Sequence, residues 1–194
     1  MLVALKHNLT QLFVFSGRTR PLHFWLYTAV IMLAHMALGM IGGVLLMQEI
    51  FGRLSRVARE HPEDVVMIQT PSGTSWHIEG NHPELMPNLQ PVLITLTIVA
   101  LVTTFLMAAA VTRRLHDSNR RGWWGLLPLP FLATGLAVFP MIFSSAMAGG
   151  EPDMSLILLL FANNLVYLIS LGVLIALLCF SGTRGENRFG PPPV

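Results

Sequence analysis

The chain has 194 residues, 53% hydrophobic and 11% charged, with 12 Lys and Arg against 10 Asp and Glu. Every charge avoids four windows, 21–48, 85–112, 122–150 and 154–183, each longer than the ~20 apolar residues a helix needs to cross a hydrocarbon core. A soluble globule of this size cannot bury four such blocks, and a net charge of +2 is too small for a nucleic-acid-binding protein, so the composition excludes a soluble domain, a disordered chain and a polyanion binder. The single cysteine, Cys179, excludes an intramolecular disulfide and a cysteine-based zinc site.

In chain order, Leu2, Leu5, Leu9, Leu12 and Phe13 share one helical stripe, with Lys6, His7, Asn8 and Gln11 elsewhere. That period predicts an amphipathic helix within residues 1–20, lying in the membrane interface. No secretory signal is evident, and the first apolar run, 22–48, reads as an uncleaved membrane helix. Pro21 suits its first turn. Phe24, Trp25 and Tyr27 are expected to form an interfacial aromatic anchor. Gly39 and Gly43 give this helix a small-residue face for close helix packing. His35, near mid-membrane, is either a satisfied core imidazole or part of a polar path.

Residues 49–90 form an outer cap. A short helical continuation carries Arg53, Arg56 and Arg59, and two β-prone runs, 65–70 and 75–79, flank a Pro71-Ser72-Gly73-Thr74 turn. His61, His77 and His82 lie there among carboxylates without tight ligand spacing, so a solvated surface is expected and no metal or cofactor. The second membrane helix is expected at 91–111, the third at 123–147 with a late start and a kink from Pro128, Pro130 and Pro140, and the fourth at 155–180. Asn163 and Asn164 on the last point about 100° apart, so at least one must face protein. The whole reads as one all-α membrane domain with a cytoplasmic loop at 112–122 and a cytoplasmic tail at 181–194. Nine of the twelve Lys and Arg fall on the N-terminal side of the membrane, which predicts that both termini are cytoplasmic.

The polar chemistry concentrates in Arg113-Arg114-Leu115-His116-Asp117-Ser118-Asn119-Arg120-Arg121, followed by Gly122-Trp123-Trp124. Guanidiniums at a cytoplasmic interface attract phosphate-bearing head groups. Arg18, Arg113, Arg114, His116, Asp117, Arg120, Arg121, Asn187 and Arg188 are therefore the candidate anion- or lipid-binding set. Asp117 is expected to pair with one of the arginines, leaving the others for an anion. No catalytic residue is assigned.

Phe15-Ser16-Gly17-Arg18 with Phe24-Trp25, the central Arg113-to-Asp117 run with Gly122-Trp123-Trp124, and Gly182-x-x-Gly185-x-Asn187-Arg188-Phe189-Gly190-Pro191 together resemble a bacterial inner-membrane family catalogued as domain of unknown function 805. The resemblance implies a four-helix inner-membrane protein with no established activity. The chain departs from that pattern at Pro21, where a second arginine is usual, at His23, usually acidic, and at Arg121, usually serine. Three function classes follow. The first is a non-catalytic accessory or scaffold subunit with anionic lipid or membrane-protein partners. The others are a small-solute or ion carrier and a membrane enzyme acting on a lipid phosphate.

Overall fold

A computed structural model describes residues 2–70, 73–80, 85, 89–147, 151 and 153–193. The protein is mostly helical: α1 (Leu2–Thr10), α2 (Pro21–Glu60), α3 (Gln90–Asp117), α4 (Leu129–Met147) and α5 (Met154–Cys179), with a two-stranded hairpin β1 (Val65–Thr70) and β2 (Gly73–Ile78). Four segments, α2, α3, the stretch containing α4, and α5, are long and apolar enough to cross a membrane. Their outward faces carry large exposed apolar side chains, such as Leu101 and Val102 on α3 and Phe161 and Leu168 on α5, as lipid-facing helices require. These properties suggest a multi-pass membrane protein.

The chain divides into two compact units, residues 1–33 with 96–194, and residues 34–95. In the first, a small core joins α2, α3 and α5 through Phe24, Tyr27, Ala110, Leu115, Leu174 and Leu178, with Leu5, Trp25 and Trp124 packed against it. Phe24 and Tyr27 are fully buried, and the Tyr27 hydroxyl donates to the Leu106 carbonyl at 3.0 Å. They are core residues, not the interfacial anchor that their aromatic character suggested. A Tyr buried with its one donor satisfied behaves as a large hydrophobe.

Helix ends follow from local chemistry. Pro21 opens α2, where the missing N–H costs nothing. Asp153 caps α5, accepting from the backbone N–H of Ser155 at 2.9 Å and Leu156 at 3.4 Å. The Ser155 hydroxyl and these amides hold the Asp153 carboxyl below its usual range. α3 stops in a Schellman motif. Asn119 takes a left-handed φ of 58°. Its N–H donates to His116, and the Arg120 N–H reaches back to Leu115. A 3-10 turn, Gly122–Leu126, then leads to α4, so the late start expected from Pro128 and Pro130 is observed. Gly122 and Gly125 bring this turn against α3: a Cβ on Gly122 would stand 2.5 Å from Thr112 Cγ2, and one on Gly125 2.9 Å from Val111 Cγ1. Pro140 sits inside α4, where it removes one ladder donor.

The second unit comprises the C-terminal part of α2, a 3-10 turn at Pro62–Asp64, the hairpin and the start of α3. The charged continuation of the first apolar run is one uninterrupted helix with it, stabilised by an Arg53–Glu49 ion pair of 2.7 Å one turn apart. β1 and β2 pair antiparallel from Val65↔Ile78 to Thr70↔Gly73. Gly73 and Thr74 thus belong to β2 and not to the expected turn, whose Pro71 and Ser72 lie outside the described residues.

Gly122→Ala should lower thermal stability by about 1–3 kcal/mol, the usual cost of overpacking. Unfolding of the detergent-solubilised protein, followed by tryptophan fluorescence, checks this. A variant as stable as the parent would mean that the turn does not pack on Thr112.

Candidate functional site

The central basic run is a loop only from Ser118 to Arg121. α3 continues as helix to Asp117, because Arg113 and Arg114 find partners within the protein and do not have to leave the helix for water. Successive side chains at about 100° intervals then address different neighbours. Arg113, Arg114, Leu115, His116 and Asp117 are all buried.

Asp117 is the centre. Its Oδ1 accepts from Arg18 Nε at 3.0 Å, and its Oδ2 from Arg114 Nη1 at 2.5 Å. Both ion pairs are almost fully excluded from solvent. The expected Asp117–arginine pair is therefore present, and it is double. Arg18 spends its remaining donors on the tail, reaching the carbonyls of Gly185 and Thr183 at 2.7 Å and that of Gly190 at 3.4 Å. Arg114 bonds Leu178 O at 3.0 Å and also the Phe180 carbonyl, at the C-terminus of α5. It thereby satisfies carbonyls that a helix end leaves open and opposes the negative end of the helix dipole. The Asp117 backbone carbonyl accepts from Thr183 N at 3.0 Å. Gly182 passes so close that a Cβ there would lie 2.7 Å from Asp117 Cγ.

Arg113 has no carboxylate. Its guanidinium donates to Asn8 Oδ1 at 2.7 Å, Thr19 Oγ1 at 3.2 Å, and the carbonyls of Gln11 and Val14 at 2.8 and 2.5 Å. These carbonyls lie just beyond α1, so Arg113 ends that helix as Arg114 ends α5. This is why α1 stops at Thr10, short of the amphipathic stretch to Phe13. It is also why Asn8, read as polar and outward, is buried while Leu9 and Phe13 are exposed. His7 lies nearby. Burial, then Arg113 and His23, hold its imidazole below the usual histidine range.

His116 stacks on Phe189, ring centroids 3.8 Å apart, with Nδ1 3.3 Å from Gly17 O. Asn187 donates to His116 O at 3.0 Å and to Thr183 Oγ1 at 2.9 Å, and its Oδ1 accepts from Phe189 N. The tail folds back in a short Asn187↔Gly190 bridge. Arg188 is exposed, donating to Asn119 O at 2.8 Å and lying over Phe189. Arg120 lies 4.2 Å over the Phe180 ring. Arg121 and Arg184 are exposed. Among the described residues, no buried side-chain nitrogen or oxygen lacks a hydrogen-bond partner.

The nine sequence-selected residues thus gather at one end of the first unit, in two tiers. Arg18, Arg113, Arg114, His116, Asp117 and Asn187 are internal or half-buried and bonded to protein. Arg120, Arg121 and Arg188 form an outer rim. The inner arginines do not present donors to an external anion.

A family model described as "Protein of unknown function (DUF805)" matches residues 12–191. The chain belongs to this family. No curated protein and no solved structure matches it. The three sequence signatures of this DUF805 protein meet around one carboxylate: Arg18 from the first, Arg113 to Asp117 from the second, and Gly182 to Gly190 from the third. Asn8, Thr19 and Thr183 are essential partners that the sequence reading missed. They are ordinary polar residues whose only signal is closeness to these signatures.

Asn163 and Asn164 are not part of this site. Asn163 donates to Phe131 O at 2.9 Å and ties α5 to α4. Asn164 is exposed on α5. His35, in the second unit, is exposed on α2, and a Cβ on Gly39 or Gly43 would meet nothing within 4 Å. Before the hairpin, His61, Glu63 and Asp64 offer ligand atoms within 4.8 Å of one another. That spacing is tighter than the sequence suggested, on a turn with an exposed Glu63. His82 lies outside the described residues.

Asp117→Ala leaves two guanidiniums buried without their anion and should cost about 3–5 kcal/mol. At roughly 2–4 °C per kcal/mol for a chain this long, thermal unfolding in detergent should fall by about 10 °C. Gly182→Ala should move it the same way, and Arg121→Gln should not. Equal melting of Asp117→Ala and the parent would contradict the buried double pair.

Proposed function

We propose that this DUF805 protein is a non-catalytic inner-membrane protein, with both termini in the cytoplasm. In this reading it is an accessory or scaffold subunit whose arginine-rich end holds anionic phospholipid head groups. One observation carries the reading: the buried charges are consumed within the chain. Each Asp117 oxygen is taken by a guanidinium, so His116 and Asp117 do not form an acid–base pair, and His116 lies flat on Phe189. An enzyme acting on a lipid phosphate would need such a pair free and open to substrate. The carrier reading is likewise weakened, because Asn163 bonds a backbone carbonyl and the apolar windows contain no charge.

Head-group binding falls to the outer tier, Arg120, Arg121 and Arg188, together with the exposed Arg184 of the tail. Trp123, exposed and stacked on Trp124 at 4.4 Å, suits the same interfacial depth. The saturated inner tier fixes the backbone that carries the rim arginines, so only their side chains have to be ordered on a head group.

Two experiments test the proposal. A fluorescent-protein fusion at the C-terminus should be bright, and a phosphatase inserted near Glu60 should be active only outside the cytoplasm; the reverse pattern overturns the orientation. In mixed phosphatidylglycerol–phosphatidylcholine vesicles the protein should enrich phosphatidylglycerol around itself. Each arginine near an anionic surface contributes about 1 kcal/mol. Replacing Arg120, Arg121, Arg184 and Arg188 together with Gln should therefore cut that enrichment at least about tenfold, while lowering thermal unfolding far less than Asp117→Ala does. Undiminished enrichment would remove the head-group role.

A further inference from the structure

α5 sends its two adjacent asparagines to different places. Asn163 turns to α4 and bonds Phe131 O, where Gly135 leaves room for its amide. Asn164, about 100° further round, is exposed, and its side-chain amide makes no hydrogen bond among the described residues. It lies roughly 15 Å along a helix about 40 Å long, well inside a hydrocarbon core about 30 Å thick. An amide there has no water to bond, so leaving it against lipid is unfavourable.

Its surroundings suit another helix. Phe161, Leu168 and Ile175 are exposed on the same face. Two turns on, a Cβ on Gly172 would meet nothing within 4 Å, which leaves a notch where a second backbone can approach closely. No charge occurs anywhere from residue 154 to 183, so nothing on this face selects a partner by charge. What the face does offer is self-complementary: a carboxamide is both donor and acceptor. Across a two-fold axis along the membrane normal, the same residue of a second copy satisfies it in both senses.

We infer that the protein self-associates through α5, with Asn164 meeting Asn164 of a second copy and Gly172 setting the close approach. The inference rests on α5 crossing the membrane and is independent of the head-group site. It also places the only cysteine usefully: Cys179 is exposed and, fifteen positions beyond Asn164, lies about 60° from it around the helix. In a parallel pair the two Cys179 thiols approach each other.

Copper-phenanthroline oxidation of membranes carrying the full chain should therefore yield a disulfide-linked dimer that Cys179→Ser abolishes. Single-molecule photobleaching in liposomes should report two copies per spot at high protein-to-lipid ratio. Asn164→Leu should weaken association about tenfold, the order expected for one interhelical polar contact, and Asn164→Gln should retain it. Gly172→Leu, which leaves the amide intact, should also weaken it. Asn164→Leu should not lower thermal unfolding of the monomer, because no described residue of the chain bonds this amide. Single-step bleaching for the parent, or an Asn164→Leu variant that dimerises as well as the parent, would overturn the inference. So would a Cys179 cross-link formed only to a different protein.

Discussion

One carboxylate sits between two guanidiniums in a region that water does not reach, and the arginine-rich end of the protein is arranged around it. Asp117 alone would be costly to bury, and so would Arg18 or Arg114. Together they leave one positive charge, which is spread over the open carbonyls of α5 and of the tail. The arrangement ties together segments distant in sequence: the stretch before α2, the end of α3, the end of α5 and the residues beyond it. Gly182 is part of the same constraint, because only a residue without a side chain lets the backbone pass the carboxylate at this distance.

Arg113 solves the same problem without an anion. Four neutral oxygens, two of them carbonyls just past the end of α1, take its donors. Neighbouring arginines on one helix thereby terminate two other helices. The polar residues gathered at this end are thus explained first by architecture, and the arginines left over, on the rim, are the ones on which the proposed head-group role rests. This division underlies the reading of the protein as a scaffold.

Much of this was legible in the sequence. Uncharged windows locate the four apolar helices because hydrocarbon excludes charge along a whole segment. The pairing of Asp117 with arginine followed from their expected common level. The direction of each guanidinium was not legible. An arginine reads the same whether it faces water or a helix end, and Arg113 and Arg114 both reach protein carbonyls. Phe24 and Tyr27 misled for a related reason: an aromatic near a helix end suits either an interface or a core, and only the partners on α3 and α5 decide. Asn8 shows the limit of periodicity, since a buried cation can draw a polar residue inward against the hydrophobic stripe.

The tail's part in the knot has a consequence for biogenesis. Arg18 and Asp117 are 99 positions apart, and the tail carbonyls that Arg18 also engages lie 165 and 167 positions beyond it. During synthesis the N-terminal segment and the first three apolar segments are made before those carbonyls exist. Arg18 can meet Asp117 as soon as α3 is made, but its remaining donors are satisfied only after the last apolar helix, when Thr183 and Gly185 have emerged. Completion of the fold is thus a late event, and a chain interrupted before that point would carry all but one of its apolar helices with Arg18 and Arg114 lacking the carbonyls of α5 and the tail.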